Sequence, residues 1–107
     1  MGAELTFIQD SMIGRRKNRR RGVHLTATIV VDGESIDGVI SDLSESGAKL
    51  ALRGQERGGE KILLEVEDHR FEANIVWREA GAIGIAFDDD VPTAIVDGLA
   101  KLSRRTR

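Results

Sequence analysis

Residues 15–21 of the sequence carry six positive charges, and five of those six side chains are arginine rather than lysine. An arginine guanidinium is a rigid planar fork that bonds a phosphate, or the O6/N7 edge of guanine, through two parallel hydrogen bonds. This composition favours recognition of a planar, multiply charged anion. The alternative is a solvated tail that binds polyanions without specificity. Because the like charges repel one another between Gly14 and Gly22, we predict a mobile arm.

A second polar segment, Asp42–Gly47, separates a run with the adjacent apolar residues Val39 and Ile40 from a run that alternates. The carboxylate of Asp42 can accept a pair of hydrogen bonds, and guanine alone among the bases presents N1–H and N2–H side by side. Ser44 adds a hydroxyl to the same segment, and Gly47 lets the backbone turn sharply beside a ligand. The alternative is an ordinary loop of common turn-forming residues.

The other reactive side chains form no catalytic or metal-binding pattern. His24 and His69 each stand alone, without a second ligand at metal-binding spacing, and we expect both to be surface residues. Asp88, Asp89 and Asp90 lack the glycine and the distal glutamate of a calcium loop, and we predict that they cap a helix. The chain has no cysteine and shows no nucleophile–base pair, so we expect no enzymatic activity, no metal and no cofactor.

The sequence between and after these segments predicts the elements that position them. From Val23 to Val31 apolar and polar residues alternate, as in a strand with one buried face, and Asp32-Gly33 is a hairpin signal. Five more short strands follow, over about residues 34–41, 48–52, 62–66, 71–77 and 83–87. Short strands joined by tight turns favour a six-stranded antiparallel β-barrel over a parallel sheet.

The end of the chain predicts a helix. Pro92 suits a first helical turn, Ile95, Leu99 and Leu102 form an apolar stripe, and arginines follow where a helix favours positive charge. The predicted organisation is a lead-in with a possible short helix over residues 1–14, an arginine-rich arm over 15–22, a barrel with its helix over 23–103, and a basic tail over 104–107.

The formal net charge of −2 conceals a separation of charge along the chain. Residues 1–21 have a net charge of +4, residues 22–100 of −10 and residues 101–107 of +4. The acidic body argues against broad polyanion binding, so we expect an anion site confined to the arm and one edge of the barrel. No apolar run approaches the ~20 residues that span a membrane, and no secretory signal is present, so we expect a cytoplasmic protein.

Taken together, these features resemble the PilZ domain family. Its members carry an RxxxR arm just before strand one, here Arg16 to Arg20, and a DxSxxG motif after strand two, here Asp42 to Gly47. A tryptophan ending strand five, here Trp77, and a sixth strand of the type seen at residues 84–87 are also typical. The resemblance covers residues 15–103 and implies a bacterial, second-messenger receptor that binds the nucleotide cyclic di-GMP on a six-stranded antiparallel barrel.

The resemblance also implies a role for each motif residue. Arg16 and Arg20 grip guanine edges and phosphates. Asp42 and Ser44 bond the other guanine edge, and Gly47 keeps the turn open.

Two questions about the arm stay open at this point. Arg15 and Arg19 also satisfy the RxxxR spacing, although Arg20 lies at the usual distance from strand one, with Gly22 where the family often has proline. Arg15 further occupies a position at which some members hold a second, stacked ligand molecule. The chain therefore binds one ligand molecule or two.

The function implied is a receptor whose arm folds over the barrel on binding and changes the surface shown to a protein partner in motility, exopolysaccharide or virulence control. One alternative is a small nucleic-acid-binding barrel with a basic arm. The acidic body argues against it, as does the expectation that Phe71, Trp77 and Phe87 are core residues that leave no exposed stacking surface. The other is a peripheral membrane protein, since residues 1–6 fit a myristoylation pattern that a bacterial host would not use.

Overall fold

The computed structural model describes residues 20–54 and 60–105, and in this part of the chain six antiparallel strands close into a barrel that one helix follows. The elements are β1 (Arg21–Val31), β2 (Glu34–Leu43), β3 (Gly47–Leu52), β4 (Lys61–Val66), β5 (His69–Glu79), β6 (Ala82–Phe87) and α1 (Thr93–Arg105). The predicted fold class is confirmed. The predicted lead-in, the arm up to residue 19, residues 55–59 of a predicted loop and residues 106–107 lie outside the described residues.

The strands follow the order β1-β2-β3-β6-β5-β4 around the barrel, and pairing of β4 with β1 closes it. β1 and β2 are joined by the predicted hairpin, in which Asp32 (φ 51°) and Gly33 (φ 83°) both adopt the left-handed conformation of a two-residue turn. β1 begins two residues before the apolar alternation, because Arg21 and Gly22 still pair with the end of β2.

The interior of the barrel is aliphatic apart from Phe87. Inward-facing side chains come from all six strands. The largest side chains that are fully buried include Ile29, Ile40, Leu43, Leu50, Leu64 and Ile83. Within the described ranges, every buried side-chain nitrogen or oxygen has a hydrogen-bond partner. The core therefore follows the alternation of the sequence at most positions, and its stability comes from apolar burial.

Three of the described strands contain an irregularity in register. The shifts lie between Gly22 and Leu25 in β1, between Ile40 and Asp42 in β2, and between Ile75 and Trp77 in β5. Because successive residues of a strand face opposite sides, one extra residue reverses the faces of all residues beyond it.

The bulge in β5 overturns one sequence-based prediction. Trp77 has the same parity as the buried Ile75, but Val76 is the extra residue, so the indole lies outside the barrel with 38% of its surface exposed. The prediction that Trp77 is a core residue is therefore wrong. Phe87 is buried as predicted, and Phe71 is half-buried against it, with ring centroids 5.4 Å apart.

Helix α1 packs on the barrel next to β1 through Val96, Leu99 and the small residues Ala100 and Ser103. The Ser103 hydroxyl accepts a hydrogen bond from the backbone N–H of His24 at 2.8 Å. The buried face is thus shifted slightly from the predicted stripe.

The prediction that Asp88–Asp90 cap this helix is wrong. The carbonyl of Pro92 accepts the first helical hydrogen bonds, from the N–H groups of Ile95 and Val96, and no acidic residue lies in the first turn. Asp88 instead accepts hydrogen bonds from Lys61 and from Asn74, and so joins the end of β6 to β4 and β5. The acidic run ends too early in the chain to reach the helical N–H groups.

Adjacent leucines in β4 provide a test of the barrel core. Leu64 is fully buried and Leu63 is half-buried on the other face, so the same substitution removes the same atoms from two environments. We expect Leu64→Ala to lower the free energy of unfolding by about 2–5 kcal/mol and Leu63→Ala to lower it much less. Urea unfolding followed by circular dichroism measures both, and equal losses would contradict the facing of β4.

Candidate functional site

A groove of about 470 Å³ lies on the outer surface of the barrel, where the end of β2 and the β2–β3 loop meet β3, β6 and β5. Four of the predicted site residues line it: Arg20, Asp42, Ser44 and Gly47. The other three, Arg15, Arg16 and Arg19, lie outside the described residues. The groove therefore contains residues of both sequence motifs: Arg20 comes from the arm, and Asp42, Ser44 and Gly47 come from the second motif.

The bulge in β2 accounts for the direction of Asp42. Ile40 pairs with Leu50 and Asp42 with Lys49, so Ser41 is the extra residue. Without this extra residue, the side chain of Asp42 would face the barrel interior as that of Ile40 does. With it Leu43 enters the core, and the Asp42 carboxylate lies in the groove, partly exposed.

Ser44 is buried and holds the shape of the loop. Its Oγ lies 3.3 Å from the backbone nitrogens of Ser46 and Gly47, which donate to it, and its own N–H donates to the Gly47 carbonyl at 2.9 Å. A serine hydroxyl that accepts from the amides two and three residues later stabilises a tight turn. The structure thus gives the serine of the motif a structural task as well as a place on the groove wall.

Gly47 is required by packing rather than by a turn. It is not among the described residues with a positive φ, but a side chain there would overlap the carbonyl oxygen of Ile85 on β6. Gly47 therefore closes the Ser44–Gly47 turn without a left-handed backbone conformation. Its small size instead lets β3 approach β6 closely at the edge of the groove.

The aromatic wall of the groove was missed by sequence reasoning. Trp77 of β5 pairs with Gly84 of β6, which pairs in turn with Lys49 of β3. The indole covers Gly84 so closely that a Cβ there would overlap the ring, and the Lys49 ammonium lies 6.0 Å from the ring centroid. Neighbouring Val76 is 59% exposed. The adjacent apolar pair Val76-Trp77 was the available signal, because it breaks the alternation as a bulge does.

The loop is attached to the rest of the molecule through Glu45, which is buried although it carries a charge. The Arg21 guanidinium lies 3.4 and 3.3 Å from its two carboxylate oxygens, and the Thr93 hydroxyl donates to one of them at 2.9 Å. Burial by itself raises the pKa of Glu45. Hydrogen bonds from its own backbone N–H, Thr93 and Arg21, with the Arg21 charge, outweigh burial and hold this pKa below its ordinary value.

The groove combines groups that suit a planar anion. Arg20 and Lys49 provide positive charge, Asp42 provides a hydrogen-bond acceptor, and the indole of Trp77 provides an exposed aromatic face. Among the described residues no group of three histidine or acidic side chains could hold a metal ion. The bulge in β5 exposes the ring of Trp77, so the prediction that no exposed stacking surface is left is wrong.

The sequence model of the PilZ domain matches residues 14–103. The chain belongs to the PilZ domain family. The match extends from just before the arginine-rich segment to Ser103 in α1, and so covers both motifs and the whole barrel.

Two solved structures with a similar fold are the following. The PilZ domain of CeSA from a cellulose-synthesizing bacterium is 16% identical, with a TM-score of 0.57 over 82% of this chain and 97% of that one. Borreliella burgdorferi PlzA, crystallised in complex with c-di-GMP, is 20% identical, with a TM-score of 0.55 over 88% of this chain and 43% of PlzA. This PilZ domain thus spans less than half of PlzA. None of the curated proteins matches it, and no helix in its described ranges is long and apolar enough to cross a membrane.

Gly84 provides a test of the aromatic wall of this PilZ domain. We expect Gly84→Ala to displace the indole of Trp77, because the added methyl group would occupy the space of the ring. Trp77 is the only tryptophan in the sequence, so its emission maximum and quenching by iodide report the change directly. Gly98→Ala, where an added Cβ meets open space on α1, is the matched control. Unchanged emission in Gly84→Ala would contradict the contact.

Glu45 predicts a dependence of stability on pH. Its pKa is lower in the folded chain than in the unfolded chain, so its contribution to stability is full above the unfolded value and is lost as the pH falls through the folded value. Glu45→Gln resembles the protonated form. We therefore expect it to be less stable than the wild type at pH 7, with the difference shrinking below about pH 4. Urea titrations at several pH values measure this, with exposed Glu60→Gln as control, and a pH-independent difference would argue against it.

Proposed function

We propose that this PilZ domain is a receptor that binds cyclic di-GMP in the groove beside β3, β5 and β6. The observation that carries the proposal is that Arg20 and Asp42, one from each motif, line the same groove as the exposed ring of Trp77. The ligand has two guanine bases and two phosphates, which call for cations, a carboxylate acceptor and a stacking surface together. Family membership supports the proposal, as does the presence of c-di-GMP in the crystal structure of the similarly folded PlzA.

Each groove residue has a task in this proposal. The Asp42 carboxylate accepts hydrogen bonds from N1–H and N2–H of one guanine, and the indole of Trp77 stacks on a base. Lys49, beside that ring, offers its ammonium to a phosphate. Ser44 and Gly47 act through the loop: the serine holds its turn, and the glycine lets β3 lie against β6.

The arm completes the site. Arg16 and Arg20 bind guanine edges and phosphates as charged forks, and binding orders the arm over the barrel. In the alternative register, Arg15 and Arg19 take these roles. Arg15 also provides a place for a second stacked ligand molecule. The altered surface is then read by a protein partner in motility, exopolysaccharide or virulence control. The proposed role is binding without catalysis.

The exposed tryptophan also favours a second candidate, binding of single-stranded nucleic acid. Aromatic side chains stack on any base, and nearby cations follow the phosphate backbone. The net charge of −10 over residues 22–100 opposes this function, because it repels a long polyanion that extends beyond the groove. A steep fall of RNA affinity with salt, without binding of cyclic di-GMP, would favour it.

Calorimetric titration with cyclic di-GMP tests the proposal. We expect the wild type to bind, and Asp42→Ala and Arg20→Ala each to lose about 1–3 kcal/mol of binding free energy, because each removes a charged hydrogen-bonding group. Asp37→Ala is the matched control, since Asp37 lies in the same strand as Asp42 but does not line the groove. Quenching of Trp77 emission should follow the same isotherm.

Four results of that titration decide the remaining points. Greater losses in Arg16→Ala than in Arg19→Ala would support the Arg16/Arg20 register, and the reverse would support Arg15/Arg19. A stoichiometry of two that falls to one in Arg15→Ala would support the second ligand molecule. Wild-type affinity in both Asp42→Ala and Arg20→Ala would overturn the site, and no binding by the wild type would overturn the function.

A further inference from the structure

The side chain of Arg21 joins three parts of the molecule beside the groove. Besides the two contacts with the Glu45 carboxylate, its Nε donates to Oδ1 of Asp97 on α1 at 2.8 Å. Thr93, the first residue of α1, bonds the same Glu45 carboxylate. Arg21, Glu45, Thr93 and Asp97 are called the Arg21 junction below. It links the start of β1, the β2–β3 loop and the helix.

The members of this junction are next to residues of the groove wall. Arg21 directly follows Arg20, which is exposed and lines the groove, and Glu45 lies between the lining residues Ser44 and Ser46. The carbonyl of Glu45 also accepts a hydrogen bond from Val91, just before α1, at 2.8 Å. The junction therefore fixes the backbone next to Arg20 and the backbone of the β2–β3 loop to one common support.

Fixing that backbone has a consequence for binding. Ordering an arginine on a ligand costs conformational entropy, and the cost is smaller where the preceding or following residue is already held in place. The rigid Arg21 guanidinium donates hydrogen bonds to both Glu45 and Asp97, and only 17% of the Arg21 side chain is exposed. The last arginine of the arm motif thus starts from an anchored backbone.

We propose that Arg21 and Asp97 are positioning residues for the anionic ligand of the groove: through Glu45 they anchor Arg20 and the β2–β3 loop in the binding geometry, with α1 as the support. The inference rests on the proposed function and adds to it two residues outside both motifs and outside the groove lining. It also makes the helix part of the site, although it contributes no side chain to the groove.

A purely electrostatic effect of Asp97 on ligand affinity would be opposite in direction to the effect of an anchor. Removing a negative charge near the site makes the site more positive, so long-range attraction alone predicts tighter binding of an anion. Loss of an anchor predicts weaker binding. Asp97 suits this test because its side chain is 52% exposed, so Asp97→Asn leaves no buried charge without compensation.

Arg21→Lys provides the second variant. Lysine keeps the positive charge near Glu45 and the net charge of the chain, but a single ammonium cannot reproduce the fork that holds Glu45 and Asp97 at once. Long-range attraction therefore predicts no change in affinity, and anchoring predicts a loss. Val31→Ala controls for lower stability, because Val31 is buried at the other end of β1, away from the groove.

The experiment is a calorimetric titration of the full chain and these variants with cyclic di-GMP, below every unfolding midpoint. We expect Asp97→Asn to bind about threefold, and Arg21→Lys about tenfold, more weakly than the wild type, with Asp97→Glu restoring part of the loss. Asp89→Asn, the same charge change at an exposed site before α1, should bind as the wild type or slightly more tightly. Val31→Ala should bind as the wild type.

The inference is overturned if Asp97→Asn binds as tightly as Asp89→Asn, or if Val31→Ala weakens binding as much as Arg21→Lys does. The proposed function is tested separately by the wild type. If the wild type binds and Asp97→Asn and Arg21→Lys bind with unchanged affinity, only the positioning role is overturned. If the wild type does not bind, the proposed function is overturned, and the positioning role with it.

Discussion

A six-stranded sheet closes into a barrel only if its strands bend strongly, and the rest of this structure depends on how that bending is achieved. β-bulges bend a strand and increase its twist. In this chain they lie in β1, β2 and β5, and closure between β4 and β1 leaves a narrow interior that aliphatic side chains fill. The bulges that bend the strands thus also allow the barrel to close around a buried core.

The same bulges create the groove. An extra residue in β2 turns Asp42 outward while Leu43 enters the core, and an extra residue in β5 does the same for Trp77. Gly84 then leaves space for the indole to lie on the sheet. Stability and the candidate site therefore share their local geometry, and a change that straightened either strand would affect both.

Strand positions were predictable from alternation, because a half-buried strand repeats every two residues, and both motifs could be read directly. The outward direction of Trp77 was missed, because its one signal, the adjacent apolar pair Val76-Trp77, does not distinguish a bulge from a strand that is buried on both faces. The ion pair of Arg21 with Glu45 could not be predicted either, because its partners are 24 residues apart and meet only when the barrel forms. The true start of α1 was missed because local charge suggested acidic caps, whereas the chain uses the Pro92 carbonyl.

The hairpin at Asp32-Gly33 lies at the opposite end of β1 from Arg21, roughly 30 Å away along the strand. Both turn residues adopt positive φ and are exposed, and neither lines the groove. Exposed turn tips of this kind accept inserted domains. This turn is therefore a natural insertion point for a fluorescent reporter, in a biosensor that leaves the groove, the arm and the helix as they are.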